Sequence, residues 1–147
     1  KDTCIRSANI MPNENIISIT NTKHAGDVRM QLSSKASDCT ILSEPVGKNT
    51  APAIAVSVKY ILDNYGDDIV LVVPSDPLIK DSEKFKESIL EAEKLAELGY
   101  IVTFGIEPNY PETGYGYINT SENLGNGFKA KEFVEKTKPM IIKNNKK

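Results

Sequence analysis

An aspartate that follows a strongly apolar run is the first candidate for a chemical role in this chain. Asp76 comes after Pro74-Ser75, which in turn follow Ile69–Val73, an uninterrupted run of large aliphatic side chains. Carboxylates in such positions hold Mg²⁺ together with substrate phosphates in phosphoryl-transfer sites. The alternative is a turn, because Ser-Asp-Pro suits turns and aspartate often hydrogen-bonds the nearby backbone there. Spacing alone favours the turn.

A second candidate is Gly47-Lys48-Asn49-Thr50, which precedes an apolar pattern with helical spacing. The first backbone N–H groups of a helix lack partners within the helix, so together with a lysine they can bind an anion. This is not a Walker loop, because it has one glycine and lacks the required Gly-Lys-Ser/Thr spacing. The alternative is an ordinary capped helix start with an exposed lysine. When these residues are considered alone, this alternative is favoured.

A third candidate is Gly114-Tyr115-Gly116-Tyr117, whose glycines would let a backbone approach a ligand closely. The alternative is a glycine-relieved bend between two tyrosines that pack on the sheet. Glu135-Lys136 is a generic charged pair by itself. His24 is the single histidine, and the sequence contains no Ser/His/Asp, Cys/His or zinc-ligand arrangement. A protein nucleophile is therefore not expected.

The apolar segments of the chain predict buried strands. A strand covered on both faces lacks the polar alternation of a half-exposed strand. Ile69–Val73 shows this best, because β-branched residues dominate it, and it is predicted to be a central parallel strand. The predicted strands are Ile16–Thr20, Cys39–Leu42, Ile69–Val73 and Tyr100–Phe104.

Helical patterns alternate with these strands, and a hairpin follows them. The inward-facing apolar stripes of the two long predicted helices are Ile54, Val58, Ile61, Leu62 and Tyr65 in the first and Phe85, Ile89, Ala92, Leu95 and Ala96 in the second. Each helix begins near a polar capping residue, and the later ones end at a glycine. This alternation predicts an α/β fold with a mostly parallel sheet and helices on both faces. The predicted elements are a helix end over Asp2–Asn9, helices from Asn21-Thr22 to Leu32, from Asn49 or Thr50 to Gly66 and from Asp81 or Ser82 to Gly99, and a hairpin made of Tyr115–Asn119 and Phe128–Val134.

The loops that follow the strands are expected to form one site. In open α/β sheets, ligands bind beyond the carboxyl ends of the strands. Glu44–Thr50, Ser75–Ile79 and Glu107–Tyr117 each follow a predicted strand. We therefore expect these loops to gather at one edge of the sheet.

Composition restricts the class of protein. The 147 residues carry a formal net charge of −2 and a hydrophobic fraction of 39%, which predicts one domain over 1–147 and argues against nucleic acid or a membrane as partner. No apolar run is long enough to span a bilayer. Cys4 and Cys39 are too few for a disulfide framework, so a cytoplasmic location is expected. The basic segment over about 139–147 is expected to be a solvated tail.

Taken together, these motifs resemble those of the mannose-1-phosphate guanylyltransferases, also called GDP-mannose pyrophosphorylases. Glu44–Ile54 is similar to the family's Glu-Pro-x-x-Arg/Lys-Asn-Thr-Ala-Pro-Ala motif, and Val73–Asp76 resembles its Pro-Ser/Ala-Asp-His motif. Thr103–Pro108 and Pro111–Ile118 resemble its Gly-Ile-x-Pro and Pro-Glu-Thr-Gly-Tyr-Gly-Tyr-Ile stretches. Phe133–Lys136 is similar to its Phe-x-Glu-Lys-Pro. Order and spacing agree across nearly the whole chain.

The resemblance implies a Rossmann-like, three-layer nucleotidyltransferase fold, here incomplete at both ends. It implies that GTP and mannose 1-phosphate give GDP-mannose and pyrophosphate, with Mg²⁺, through positioning and charge neutralisation. Asp76 would be the catalytic residue and the metal ligand. The resemblance assigns the nucleotide to Glu44, Pro45, Lys48, Asn49, Thr50 and Ser75, and the sugar phosphate to Gly116, Tyr117, Glu135 and Lys136.

The sequence also departs from the family pattern. Pro77 stands where the family has histidine, and Thr137-Lys138 separate Lys136 from Pro139. No segment matches the family's opening Gly-rich loop, so the chain is interpreted as the central part of a catalytic domain with little or no turnover alone. A transferase for another base or sugar stays open, and so do a non-catalytic remnant that serves in assembly or ligand binding, and a homo-oligomer.

Overall fold

The structure is a computed structural model that describes residues 2–34, 36–110 and 114–134. The chain divides into two compact units, 1–86 and 87–147. In chain order the described elements are α1 (Asp2–Ala8), β1 (Ile17–Asn21), α2 (Ala25–Leu32), β2 (Thr40–Glu44), α3 (Thr50–Asn64), α4 (Ser82–Glu97), β3 (Tyr117–Asn123) and β4 (Phe128–Val134).

The first unit contains a parallel β-α-β arrangement. β1 and β2 pair in parallel with Ile17 opposite Thr40 at the start and Asn21 opposite Glu44 at the end. α2 makes the crossover, because parallel neighbours require a long connection. Its buried Leu32 lies in the core of this unit together with Ile16 and Ala36. The predicted α/β class and the first two predicted strands are confirmed.

The helix boundaries follow the capping and glycine signals in the sequence. The Asn21 side chain accepts a hydrogen bond from the Lys23 N–H over 3.0 Å and caps the short 3-10 helix Thr22–His24 that leads directly into α2. The Asp81 side chain accepts one from the Lys84 N–H over 3.1 Å at the start of α4. Gly66 and Gly99 have φ angles of +91° and +87°, which L-residues with a side chain rarely adopt. These glycines therefore end α3 and α4 where the sequence predicts.

The prediction of a central strand at Ile69–Val73 is wrong. The segment is not a strand, and Val70 and Val72 are 37% and 49% exposed. The prediction for Tyr100–Phe104 is also wrong, and Ile101 there is 99% exposed. A strand is defined by hydrogen bonds to a neighbour, and within the described residues β1 and β2 pair with each other alone. An apolar run indicates which side chains a strand would bury. It does not determine which neighbouring strand forms the backbone hydrogen bonds.

The second unit contains the predicted hairpin. β3 and β4 are antiparallel, with Tyr117 opposite Val134 and register shifts further along. In the turn, the Leu124 N–H donates to the Gly127 carbonyl over 2.8 Å. A Cβ on Gly127 would lie 3.0 Å from Leu95 Cδ1, so the turn packs closely on α4.

The apolar stripes of the long helices are confirmed to different degrees. On α4, Ile89 and Leu95 are buried, as the periodicity predicts. On α3, Ile54 is half-buried, whereas Leu62 and Tyr65 of the predicted stripe are exposed. No helix among residues 2–34, 36–110 and 114–134 is long and apolar enough to cross a membrane.

Candidate functional site

Asp76 lies at a bend and is exposed. Its carboxylate forms no hydrogen bond or ion pair with any residue in the described part of the chain. The flanking acids behave differently. Asp68 accepts the backbone N–H of Ile69 over 2.7 Å, and Asp81 accepts that of Lys84 over 3.1 Å. The turn explanation therefore fits Asp68 and Asp81, whereas the Asp76 carboxylate is left available to a ligand.

The residue before Asp76 is fixed by the first helix. Thr3 Oγ1, on α1, donates a hydrogen bond to the Ser75 carbonyl over 3.0 Å. Thr3 is 8% exposed and is the buried polar residue of the described core. The sequence reasoning missed this contact, because a threonine in a short helix carries no signal for a partner 72 positions away.

The loop that begins at Glu44 starts from the carboxyl edge of the parallel pair. Glu44 is the last residue of β2 and lies opposite Asn21 of β1. Thr22 Oγ1 donates to the Glu44 carbonyl over 3.0 Å. Pro45 and Val46 then run exposed to solvent. The loop is thus anchored at its first residue and accessible beyond it.

Asn49 has an unusual backbone conformation at the end of this loop. Its φ is 68° and its ψ is −172°, a region that favours glycine. It stands in the N-cap position of α3, as the sequence predicts, but its side chain makes no capping hydrogen bond. Thr50 is the first residue of α3. Lys48 is exposed and has no ion-pair partner among the described residues.

These two loops lie in the same unit but are not joined directly. Within the described residues no hydrogen bond or salt bridge connects 44–50 with 75–79. The third loop belongs to the second unit, and its residues 111–113 lie outside the described residues. The convergence of all three loops at one edge stays a prediction.

The predicted sugar-phosphate residues are described in part. A Cβ on Gly116 would lie 3.2 Å from the Val134 carbonyl oxygen, so its lack of a side chain permits close approach of β4. This contact supports the structural explanation for Gly116 given by the sequence. Tyr117 is half-buried at the start of β3. Glu135 and Lys136 lie outside the described residues.

The described acidic residues do not converge into a cluster of metal ligands. Among the described residues no group of three or more His, Cys, Asp or Glu side chains could hold a metal ion. A protein cage for a metal is thus not formed by these residues. Mg²⁺, however, is often held by one or two carboxylates plus substrate phosphates. The exposed Asp76 fits that arrangement, in which the ion arrives with a nucleotide.

The cysteines of the chain are free, and one of them is perturbed. Burial, followed by the charge of Cys4, raises the pKa of the Cys39 thiol above its ordinary value. Thiolates are the reactive form of cysteine. Cys39 is therefore held in the unreactive thiol form at neutral pH, which agrees with the absence of a nucleophile motif in the sequence.

The family of the chain follows from comparison with known proteins. The sequence profile of the nucleotidyl transferase family matches residues 3–142. The chain therefore belongs to the nucleotidyl transferase family. It is 45% identical over 138 residues to the xanthan biosynthesis protein XanB of Xanthomonas campestris pv. campestris. It is 43% identical over 143 residues to a mannose-1-phosphate guanylyltransferase of Salmonella montevideo.

A solved structure shares the backbone course. The crystal structure of a mannose-1-phosphate geranyltransferase from Thermus thermophilus is 29% identical in sequence, with a TM-score of 0.85 over 97% of this chain and 41% of that chain. These relatives confirm the family resemblance and the fold class. The chain covers 28% of XanB and 30% of the Salmonella protein, and each match includes 91% of this chain.

Proposed function

We propose that this chain is part of a nucleotidyltransferase that converts GTP and mannose 1-phosphate to GDP-mannose and pyrophosphate. The observation that carries the proposal is Asp76, an exposed acid with no partner among the described residues, in the Pro-Ser-Asp motif. Family membership supports the reaction class, and the name of the Salmonella relative supports the substrates. The proposal concerns the complete natural protein that carries this chain.

The reaction requires no covalent attachment to the protein. A phosphate oxygen of mannose 1-phosphate attacks the α-phosphorus of GTP and forms the new P–O bond of GDP-mannose. The bond between the α-phosphorus and the oxygen that bridges to the β-phosphate breaks, and pyrophosphate leaves with that electron pair. Such transfers depend on positioning and on stabilisation of charge. The thiol form of Cys39 and the absence of a nucleophile motif agree with this route.

Asp76 would hold Mg²⁺ together with the nucleotide phosphates. The ion would supply neutralisation of phosphate charge. The chain's contribution is to keep the carboxylate exposed and unpaired at a bend whose preceding carbonyl is fixed by Thr3. A carboxylate already paired within the protein would lose that contact on binding a metal.

The Glu44–Thr50 loop would bind the base and ribose of GTP. Its anchored first residue, its exposed Lys48 and the side chain of Asn49, which caps nothing, support this assignment. Ser75 would add to the nucleotide side. Gly116, Tyr117, Glu135 and Lys136 would form the sugar-phosphate side. Lys136 would pair with the phosphate through its charge.

A second candidate is transfer with another base or sugar. The match to XanB supports this second candidate. The name of XanB states a role in xanthan biosynthesis and no substrate. A nucleotide-sugar-binding protein without turnover is a third outcome. We also propose a cytoplasmic location, which the two free cysteines support.

The test is pyrophosphate release by the complete natural protein with Mg²⁺. GTP is compared with ATP, UTP and dTTP, and mannose 1-phosphate with glucose 1-phosphate. The proposal expects release with GTP and mannose 1-phosphate at a kcat/KM at least about tenfold above every other pair. Preference for another pair establishes the second candidate. Binding of GDP-mannose without any release establishes the third.

A further inference from the structure

A partly buried hydrogen-bond network contacts the bend that carries Asp76. Thr3 Oγ1 donates to the Ser75 carbonyl over 3.0 Å, and Arg6 Nη2 lies 3.3 Å from the same hydroxyl oxygen. A guanidinium only donates hydrogen bonds, so the Thr3 oxygen accepts from Arg6. The single hydroxyl proton is then directed to Ser75, which gives this link a defined orientation.

Arg6 is itself held in place. Its guanidinium carbon lies 5.4 Å from the centre of the Phe85 ring, at a distance typical of a cation–π contact. Its Nε is buried and has no hydrogen-bond partner within the described residues. The network therefore joins α1, the first turn of α4 and the backbone of Ser75. A partly buried polar chain of this kind resists displacement, because movement leaves the Thr3 hydroxyl and the Ser75 carbonyl without their hydrogen bonds.

We propose that Thr3 is a positioning residue for Asp76. It fixes the carbonyl of the preceding residue, and through the backbone it fixes the point from which the Asp76 carboxylate projects. Among the described residues, no other hydrogen bond joins the bend to the rest of the first unit. The expected effect of Thr3 on catalysis rests on the proposed function. The role of Thr3 in fixing the bend does not depend on that function.

The substitutions isolate the hydroxyl. Thr3→Val keeps the shape and removes both hydrogen bonds, and Thr3→Ser keeps the hydroxyl. Ser7→Ala is the matched control on the same helix, because Ser7 Oγ donates to the Thr3 carbonyl over 3.0 Å and forms no hydrogen bond with the described bend. Circular dichroism of each variant shows whether the fold is retained.

The first readout is limited proteolysis of the complete natural protein by chymotrypsin, with cleavage after the exposed Leu78 followed by mass spectrometry. Thr3→Val is expected to raise the rate of this cleavage roughly tenfold, because the released bend can adopt the extended conformation that a protease binds, while Thr3→Ser and Ser7→Ala match the unsubstituted protein. Equal cleavage rates in Thr3→Val and the unsubstituted protein overturn the inference, whether or not the protein has activity.

The second readout is steady-state pyrophosphate release. Thr3→Val is expected to lower kcat roughly 10- to 100-fold, because small displacements of a catalytic group are costly, and Thr3→Ser to restore it. The KM for mannose 1-phosphate is expected to stay within about twofold. Because a smaller folded fraction would also lower kcat at constant KM, kcat is calculated per folded protein, with the folded fraction of each variant taken from circular dichroism. An active unsubstituted protein with the same kcat in Thr3→Val overturns the inference. No release by the unsubstituted protein overturns the proposed function instead, and the proteolysis readout then decides on Thr3.

Discussion

The hydroxyl of Thr22 donates a hydrogen bond to the carbonyl of Glu44 over 3.0 Å. Thr22 directly follows the last residue of β1. Glu44 is the last residue of β2 and pairs there with Asn21 of β1. The contact fixes the origin of the Glu44–Thr50 loop, and ligands of open α/β sheets bind at this edge. The loop's exposed residues thus extend from a defined point.

Removal of the Thr22 hydroxyl is expected to weaken nucleotide binding. Thr22→Val keeps the shape but leaves the Glu44 carbonyl without its donor, and one neutral hydrogen bond corresponds to a roughly 3- to 10-fold rise in the KM for GTP. Thr22→Ser is the matched control and should retain the KM of the unsubstituted protein. Titration of GTP in the pyrophosphate assay measures both. Equal KM values in all three proteins would contradict the anchoring role.

Loss of charge at Asp76 is expected to remove activity without loss of stability. Asp76→Asn should lower kcat about 100- to 1,000-fold, as removal of a preorganised charge-stabilising group does. Its Tm should not change, because the carboxylate has no partner within the described residues. Asp81→Asn is the matched control, since asparagine also caps a helix and the charge change is the same. A Tm loss in Asp76→Asn with full kcat would show that the acid has a structural role.

Replacement of Asn49 by glycine is expected to stabilise the protein and to weaken GTP binding. Asn49→Gly should raise the free energy of unfolding by about 1 kcal/mol, because the relief of about 1–3 kcal/mol of strain exceeds the entropic cost of glycine. It should also raise the KM for GTP about 3- to 10-fold through loss of the amide. Asn49→Ala loses the side-chain amide but keeps the backbone strain. It should therefore raise the KM for GTP without raising the free energy of unfolding. Urea unfolding and GTP titration separate the effects, and a less stable Asn49→Gly would contradict the strain assignment.

Cys39 is expected to react with alkylating reagents at higher pH in the folded protein than in the unfolded one. Burial, with a smaller contribution from Cys4, raises its pKa, so the folded state retains the proton over a pH range in which the unfolded chain has lost it. This contribution to stability is fully present below the unfolded pKa of about 8.5 and is lost as pH rises through the folded pKa. Iodoacetamide labelling rates at Cys39, measured by mass spectrometry with and without urea, give the two midpoints. Equal midpoints would contradict the raised pKa.

The sequence predicted the local features of the fold better than its pairing. Capping and glycine signals are short-range, so the helix ends at Asn21, Asp81, Gly66 and Gly99 could be derived from single residues. Strand partners are long-range, and the apolar composition of Ile69–Val73 could not specify one. The parallel pair was predicted because a helical pattern separates two apolar runs.

The residues of the candidate site were also predicted only in part. Asp76 and the Glu44–Thr50 loop were identified from motifs, because the chemistry lies in residue types at short spacing. Thr3 and Thr22 were missed, because each acts on a backbone carbonyl that is distant in sequence. A carbonyl is common to every residue, so no residue type at the acceptor indicates the contact.

The fate of a phosphorus label tests the central claim most directly. The complete natural protein is incubated with Mg²⁺, mannose 1-phosphate and GTP that carries ³²P at the α-phosphate. The account predicts that the label moves from GTP into GDP-mannose, in an amount equal to the pyrophosphate released, and that Asp76→Asn slows this transfer about 100- to 1,000-fold. Label that stays in GTP, or that appears in GDP or GMP without formation of the sugar nucleotide, would contradict it.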